Sequence, residues 1–236
     1  MTKKMEIKQP KDGSKFLWKY FDLHKFISLL SKKKLFFTRL DNFDDPIEGI
    51  KTKLLRKYAK LGEPIDPNSP KVADSQKKNY VNCWFTSERE SMAMWNLYSN
   101  VDSVAIKVEF ASLKKELEKS FHNFIETNSN LTICGEPVDY LELNPFNSSL
   151  DLQKFKYSAL KKDVAYQYES EYRLLINTPS SENPKLFYEI PLNLKELNLI
   201  VLTHPKMEQW KIENIKELVK LTDENVQVEK SATMLR

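Results

Sequence analysis

Tyr168-Glu169-Ser170-Glu171-Tyr172-Arg173-Leu174-Leu175-Ile176-Asn177 is the stretch from which the architecture of this chain is read. Its alternation predicts a strand over 168–177, with Tyr168, Ser170, Tyr172, Leu174 and Ile176 on one face. Glu169, Glu171, Arg173 and Leu175 fall on the other. Two carboxylates about 7 Å apart on one face resist joint burial unless they stay wet or meet cationic groups. Taken alone, the segment reads as an edge strand with a solvated Glu-Glu-Arg face.

The flanking segments set this strand in a mixed architecture. Phe16–Tyr20 reads as a short strand, and Asp22 caps a helix whose Phe26, Ile27, Leu29 and Leu30 share one face. Leu35–Arg39 is an aromatic-rich strand that ends at Asp41-Asn42-Phe43-Asp44-Asp45-Pro46, a turn-forming cluster. A basic helix follows over 48–61. Residues 62–76 carry three prolines and little periodicity, which predicts a mobile loop inserted in a single domain spanning 1–236. Tyr80–Thr86 is apolar enough for a central strand, and Ser91 caps a short helix with Met92, Trp95 and Tyr98. A strand over 103–110 leads into a helix over 111–124. Strands over 137–141, 186–191, 197–202 and 226–230 and helices over 152–162 and 210–221 complete the pattern. Strands and helices do not alternate strictly, so an α+β fold is expected.

Composition excludes several classes. With 236 residues, 41% of them hydrophobic, the chain can bury a substantial core. Only 4 glycines occur, and neither G-x-x-x-x-G-K-[ST] nor G-x-G-x-x-G is present, which removes the main support for P-loop and Rossmann readings. Cys83 and Cys134 stand far apart, and His24, His122 and His204 lie in unrelated contexts, so neither a disulfide framework nor a zinc site is expected. The charged N-terminus and the lack of a long apolar run predict a cytoplasmic protein. Lys51, Lys53, Arg56, Lys57 and Lys60 read as a solvated helix face that also permits a nucleic-acid partner.

Further features bear on chemistry. Arg39 ends an apolar strand just before a turn, where a guanidinium serves as a rim residue or as a fork for phosphate. Phe85-Thr86-Ser87 ends another strand in hydroxyls, which cap the next helix or line a pocket. Trp95 and Tyr98, three residues apart on a helix, read as core. Asp44, Asp45 and Glu48 form a turn, or combine with Glu169 and Glu171 to bind Mg²⁺ for nucleic-acid hydrolysis. No lysine follows Glu171, as a restriction-like nuclease would want. Cys83 reads as an inert buried thiol.

Arginine, then strand-end Thr86-Ser87, then Glu169-x-Glu171 is the chain order of ADP-ribosyltransferases of the Arg-Ser-Glu type, which this sequence distantly resembles. The resemblance implies a split, mixed β-sheet with flanking helices and NAD as a substrate, either for mono-ADP-ribosyl transfer to a protein or nucleic-acid acceptor or for cleavage with water as the acceptor. It implies that Arg39 anchors a phosphate of NAD and that Thr86 and Ser87 shape the nicotinamide-ribose pocket. Glu171 would bind the ribose 2′-hydroxyl and stabilise an oxocarbenium-like transition state, and Glu169 would orient or deprotonate the acceptor. Trp95 or Tyr98 would stack on nicotinamide, and no metal is required. A fuller resemblance runs through Asn42-Phe43-Asp44-Asp45-Pro46-Ile47-Glu48-Gly49, Val81–Thr86, Met94-Trp95-Asn96-Leu97-Tyr98 and Tyr168–Arg173. These are similar to the motifs of a large bacterial family of domains of unknown function whose members resemble toxin and phage-defence proteins in context. That context implies either a toxin or defence enzyme, or a non-catalytic nucleic-acid or partner-binding module of a toxin–antitoxin system.

Overall fold

The computed structural model describes residues 5–11, 13–45, 48–63, 65–66, 68–128, 130–141, 157–222 and 226–233, with the side chains of 52, 56 and 59 left aside. In chain order the elements are β1 (Met5–Ile7), β2 (Phe16–Phe21), α1 (Leu23–Lys32), β3 (Lys34–Arg39), α2 (Thr52–Leu61), α3 (Pro70–Lys77) and β4 (Asn79–Thr86). They continue as α4 (Met92–Tyr98), β5 (Val104–Glu109), α5 (Phe110–Thr127), β6 (Thr132–Pro137), β7 (Asp139–Leu141), β8 (Lys161–Asp163) and β9 (Glu171–Asn177). β10 (Phe187–Pro191), β11 (Ile200–Thr203), α6 (Gln209–Thr222) and β12 (Gln227–Lys230) complete the series. Parallel and antiparallel pairs both occur, so the chain is α+β with mixed strand pairing.

Local chemistry accounts for most boundaries. The Asp22 carboxylate accepts from the Lys25 amide and opens α1, whose Phe26, Leu29 and Leu30 are buried. Lys33, in the left-handed region, closes it. Ser91 caps α4 by accepting from the Met94 amide. Residues 70–77 correct the loop expected over 62–76: Ser69 accepts from Val72, and Pro70 stands in the first helical turn, where its missing N–H costs nothing. Pro70, which reads as a loop signal, is a helix-start signal here.

The chain forms two compact units. The first gathers 1–9, 36–83 and 123–189; the second gathers 10–35, 84–122 and 190–236. Strands of the first run in the order β1-β6-β9-β4, with β3 paired to β4 and to β10. Those of the second run β4-β2-β5-β11-β12, so the chain of β4 contributes to both. In the first unit Leu40, Val81, Cys134, Ala159, Leu160 and Leu175 form a buried cluster. Ile50, Leu55 and Val72 make a smaller one beneath α2 and α3. In the second, Trp18, Phe85, Trp95, Ala105 and Leu202 pack together.

The segment that opened the sequence reading departs from expectation in two ways. Residues 164–169 are a 3₁₀ turn and the strand starts only at Glu171, because Ser170 adopts a left-handed conformation (φ 38°, ψ 52°). β9 lies between β6 and β4, so it is an interior strand rather than an edge. The helix expected over 152–162 is corrected as well: residues 158–160 form a 3₁₀ turn and 161–163 the strand β8. Its first part, 152–156, lies outside the described residues, as do Pro46 and Ile47 of the turn.

Candidate functional site

β9 carries Glu171 and Arg173 on one face, two residues apart, as strand periodicity requires. Arg173 is wholly buried and its guanidinium grips Glu171 side-on, Nε to Oε1 at 2.7 Å and Nη2 to Oε2 at 2.9 Å. Nη2 also donates to Glu48, and Nη1 donates to the Ala159 carbonyl at 2.8 Å. Glu48 reaches Arg173 from a turn in which Gly49 holds φ at +74°. A side chain on Gly49 would collide with Leu40, so the turn needs glycine for both its backbone and its packing.

Glu169 joins this group by a route the alternation did not foresee. It closes the 3₁₀ turn, and the left-handed Ser170 brings it to the Lys162 ammonium, with Nζ to Oε2 at 2.5 Å. The same ammonium stands 3.7 Å from Glu171 Oε2 and 4.6 Å from the centre of the Tyr166 ring. Three carboxylates and two cations are therefore buried together on the first unit. The wet Glu-Glu-Arg edge expected from the sequence is a dry, paired cluster instead.

Electrostatics separates the carboxylates. Burial pushes Glu171 up, but the Arg173 guanidinium, the Lys162 ammonium and a hydrogen bond from the Cys83 thiol bring it down to about 2. For Glu48, burial prevails over Arg173 and Lys162, and the carboxyl lies above its ordinary value. Burial lowers Lys162, yet Glu171, Glu48 and Glu169 together hold it above the usual lysine range. Neighbouring Lys161 is carried down by burial to about 8. The Tyr140 hydroxyl accepts from the Glu171 amide at 2.8 Å and is held protonated by burial.

The other residues singled out in the sequence occupy different surroundings. In the first unit, Arg39 donates from Nε to Asp41 Oδ1 at 2.5 Å and from Nη2 to Oδ2 at 3.0 Å. Its Nη1 donates to the Lys185 carbonyl at 2.9 Å. The fork offered to a phosphate is thus closed on an internal carboxylate. In the second unit, Thr86 is buried at the end of β4, opposite Leu17. The Ser87 hydroxyl accepts from the Arg89 amide at 3.1 Å, and the Ser87 carbonyl accepts from Trp18 Nε1 at 2.7 Å. Trp95 is wholly buried, meets the rings of Tyr20 and His204 edge-on, and donates to Glu90 at 3.0 Å. Its ring is core, whereas Tyr98 is exposed. Asp44 is exposed, and Asp45 raises the phenol of Tyr166.

Lys162, Arg173, Glu48 and Tyr140 are the members that sequence reading left out of the leading site. Arg173 was visible as the third member of the strand face. Lys162 was hidden by the expected helix. Among the described residues no group of three or more histidine, cysteine, aspartate or glutamate side chains is arranged to hold a metal ion. Nor is any described helix long and apolar enough to cross a membrane.

Comparison with known proteins bears on this region. Residues 94–174 match the family model "Protein of unknown function (DUF2971)", which spans the Met94–Tyr98 and Tyr168–Arg173 motifs. The likeness to a domain family of unknown function is therefore found over that part of the chain, with the 42–49 and 81–86 motifs outside it. No curated protein matches. Among solved structures, Thermus sp. 2.9 DarT in complex with NAD+ aligns with 94% of this chain and 97% of its own at 8% identity. The TM-score of 0.35 is too low for that likeness to carry an argument.

Proposed function

We propose that this chain cleaves the N-glycosidic bond of NAD and transfers ADP-ribose to an acceptor. The observation that carries the reading is Glu171, a buried carboxylate gripped by the Arg173 guanidinium at the head of an interior strand. Breaking the bond between ribose C1′ and nicotinamide sends the electron pair to the leaving nicotinamide and develops positive charge on the sugar. A fixed anion in a site of low dielectric stabilises that charge most. The acceptor then forms its bond to C1′ and gives its proton to Glu169, the second carboxylate of the cluster. Arg39 anchors a phosphate of NAD once Asp41 yields its place on the guanidinium. An enzyme of this kind fits a toxin or defence effector, and growth arrest on expression is the corresponding cellular readout.

The test is incubation with labelled NAD and cell extract. Glu171→Gln is expected to lose about 10²–10³-fold in transfer, the scale of removing one preorganised electrostatic group. Circular dichroism checks that the variant is folded. Wild-type turnover in folded Glu171→Gln sinks the proposal.

One observation favours a second reading. Lys51, Lys53, Lys57 and Lys60 are all exposed at α2 and just before it. A non-catalytic nucleic-acid-binding module would show steeply salt-dependent binding that weakens in Lys53→Gln/Lys57→Gln/Lys60→Gln, with no NAD consumed.

A further inference from the structure

We infer that Lys162 is a positioning residue, which holds Glu169 and Glu171 as a working pair of anions. The inference rests on the transferase reading for its function, and on geometry for its existence. Glu169 comes from a 3₁₀ turn and Glu171 from a strand, and the residue between them is in a left-handed conformation. The backbone therefore does not fix the distance between the two carboxylates by itself. One ammonium reaches both, at 2.5 Å and 3.7 Å, from a different strand.

Among the described residues, the groups around this ammonium come from several elements. Glu171 and Arg173 face it from β9, Glu48 from the turn before α2, and Glu169 and Tyr166 from the 3₁₀ turn. Tyr140 of β7 and Cys83 of β4 border the Glu171 carboxylate. Arg173 is already committed to Glu171, Glu48 and a carbonyl. It cannot also turn to Glu169, because its planar fork has a fixed direction. Only a flexible point charge can span the two carboxylates, and a lysine meets that need.

The roles of the two cations follow. Arg173 locks Glu171 in place for the sugar. Lys162 keeps Glu169 beside it, where the proton of the acceptor arrives. Losing Lys162 takes its ammonium away from a buried carboxylate, and losing Glu169 as well removes the charge that ammonium had balanced. A role in packing alone predicts that the two losses add.

The experiment combines a mutant cycle with kinetics. Lys162→Met is expected to lower the melting temperature by more than about 5 °C, and Lys162→Met/Glu169→Gln to recover at least half of that loss. Lys162→Arg, which keeps the charge, is expected to retain more NAD turnover than Lys162→Met. Lys162→Met should lose kcat by at least about tenfold while KM for NAD moves by less than about threefold. A double variant no more stable than Lys162→Met overturns the inference. So does a kcat of Lys162→Met equal to wild type. Wild-type protein that consumes no NAD, with the stability coupling intact, supports the pairing and overturns the transferase reading on which its function rests.

Discussion

Arg173 is where sequence and energetics meet most directly. Its guanidinium pairs with Glu171 and Glu48 and donates to the Ala159 carbonyl. Arg173→Leu leaves buried carboxylates without their partner and is expected to cost about 3–5 kcal/mol, read as a shift in the denaturant midpoint. Arg173→Lys recovers only part, since an ammonium cannot reproduce the side-on fork. The pH dependence follows from Glu171. Its carboxyl is lowered to about 2 in the fold against 4.5 in its absence, so the stabilisation is present above about pH 4.5 and is lost as pH falls toward 2. Glu48 acts in the opposite sense: raised by burial, it favours the fold below its ordinary value and withdraws that favour as pH rises through its shifted value. Melting temperature between pH 5 and pH 2 (a range set by those two values) should fall more steeply in wild type than in Glu171→Gln. The sequence announced these carboxylates but not their burial, because a lysine nine residues upstream of Glu171 supplies the missing charge only once the chain has folded back.

Ser170 shows the same limit for an element. Period two correctly placed Glu171, Arg173, Leu175 on one face and Tyr172, Leu174, Ile176 on the other. It failed one residue earlier, where a serine takes a left-handed backbone that L-residues adopt reluctantly. Ser170→Gly is expected to be neutral or to stabilise slightly, and Ser170→Val to destabilise by about 1–2 kcal/mol, as measured by thermal unfolding. Where signals are local, the sequence was legible: Asp22 and Ser91 cap α1 and α4, and the apolar spacing of α6 marks its extent within a residue at either end. Where a boundary depends on a distant partner, it was not. β6 begins at Thr132 because it pairs with β1 and β9, and nothing within 132–136 has the alternation that would mark it. Ser69-Pro70 shows the remaining kind of error, a helix-start signal taken for a loop because proline serves both. The site was legible in part: its carboxylates were named, whereas Arg39 and Trp95 proved to be occupied by Asp41 and by Tyr20 and His204.

At the scale of the whole molecule, each compact unit draws on three separate stretches of chain. Neither unit is a contiguous piece that can be excised. Fragments 1–130 and 131–236 each hold incomplete portions of both, and each is expected to lack a cooperative unfolding transition by circular dichroism; a sharp transition in either alone would refute this. The interleaving also has a consequence for biosynthesis. The first unit stays unfinished until residues 123–189 have left the ribosome, and the second until 190–236 have followed. Strands such as β2 and β4 emerge long before the partners that cover them, and contacts so distant in sequence form slowly. Through most of its translation the nascent chain therefore holds strands whose partners have yet to emerge, and the paired glutamates meet their cations only once residues 162–173 have followed.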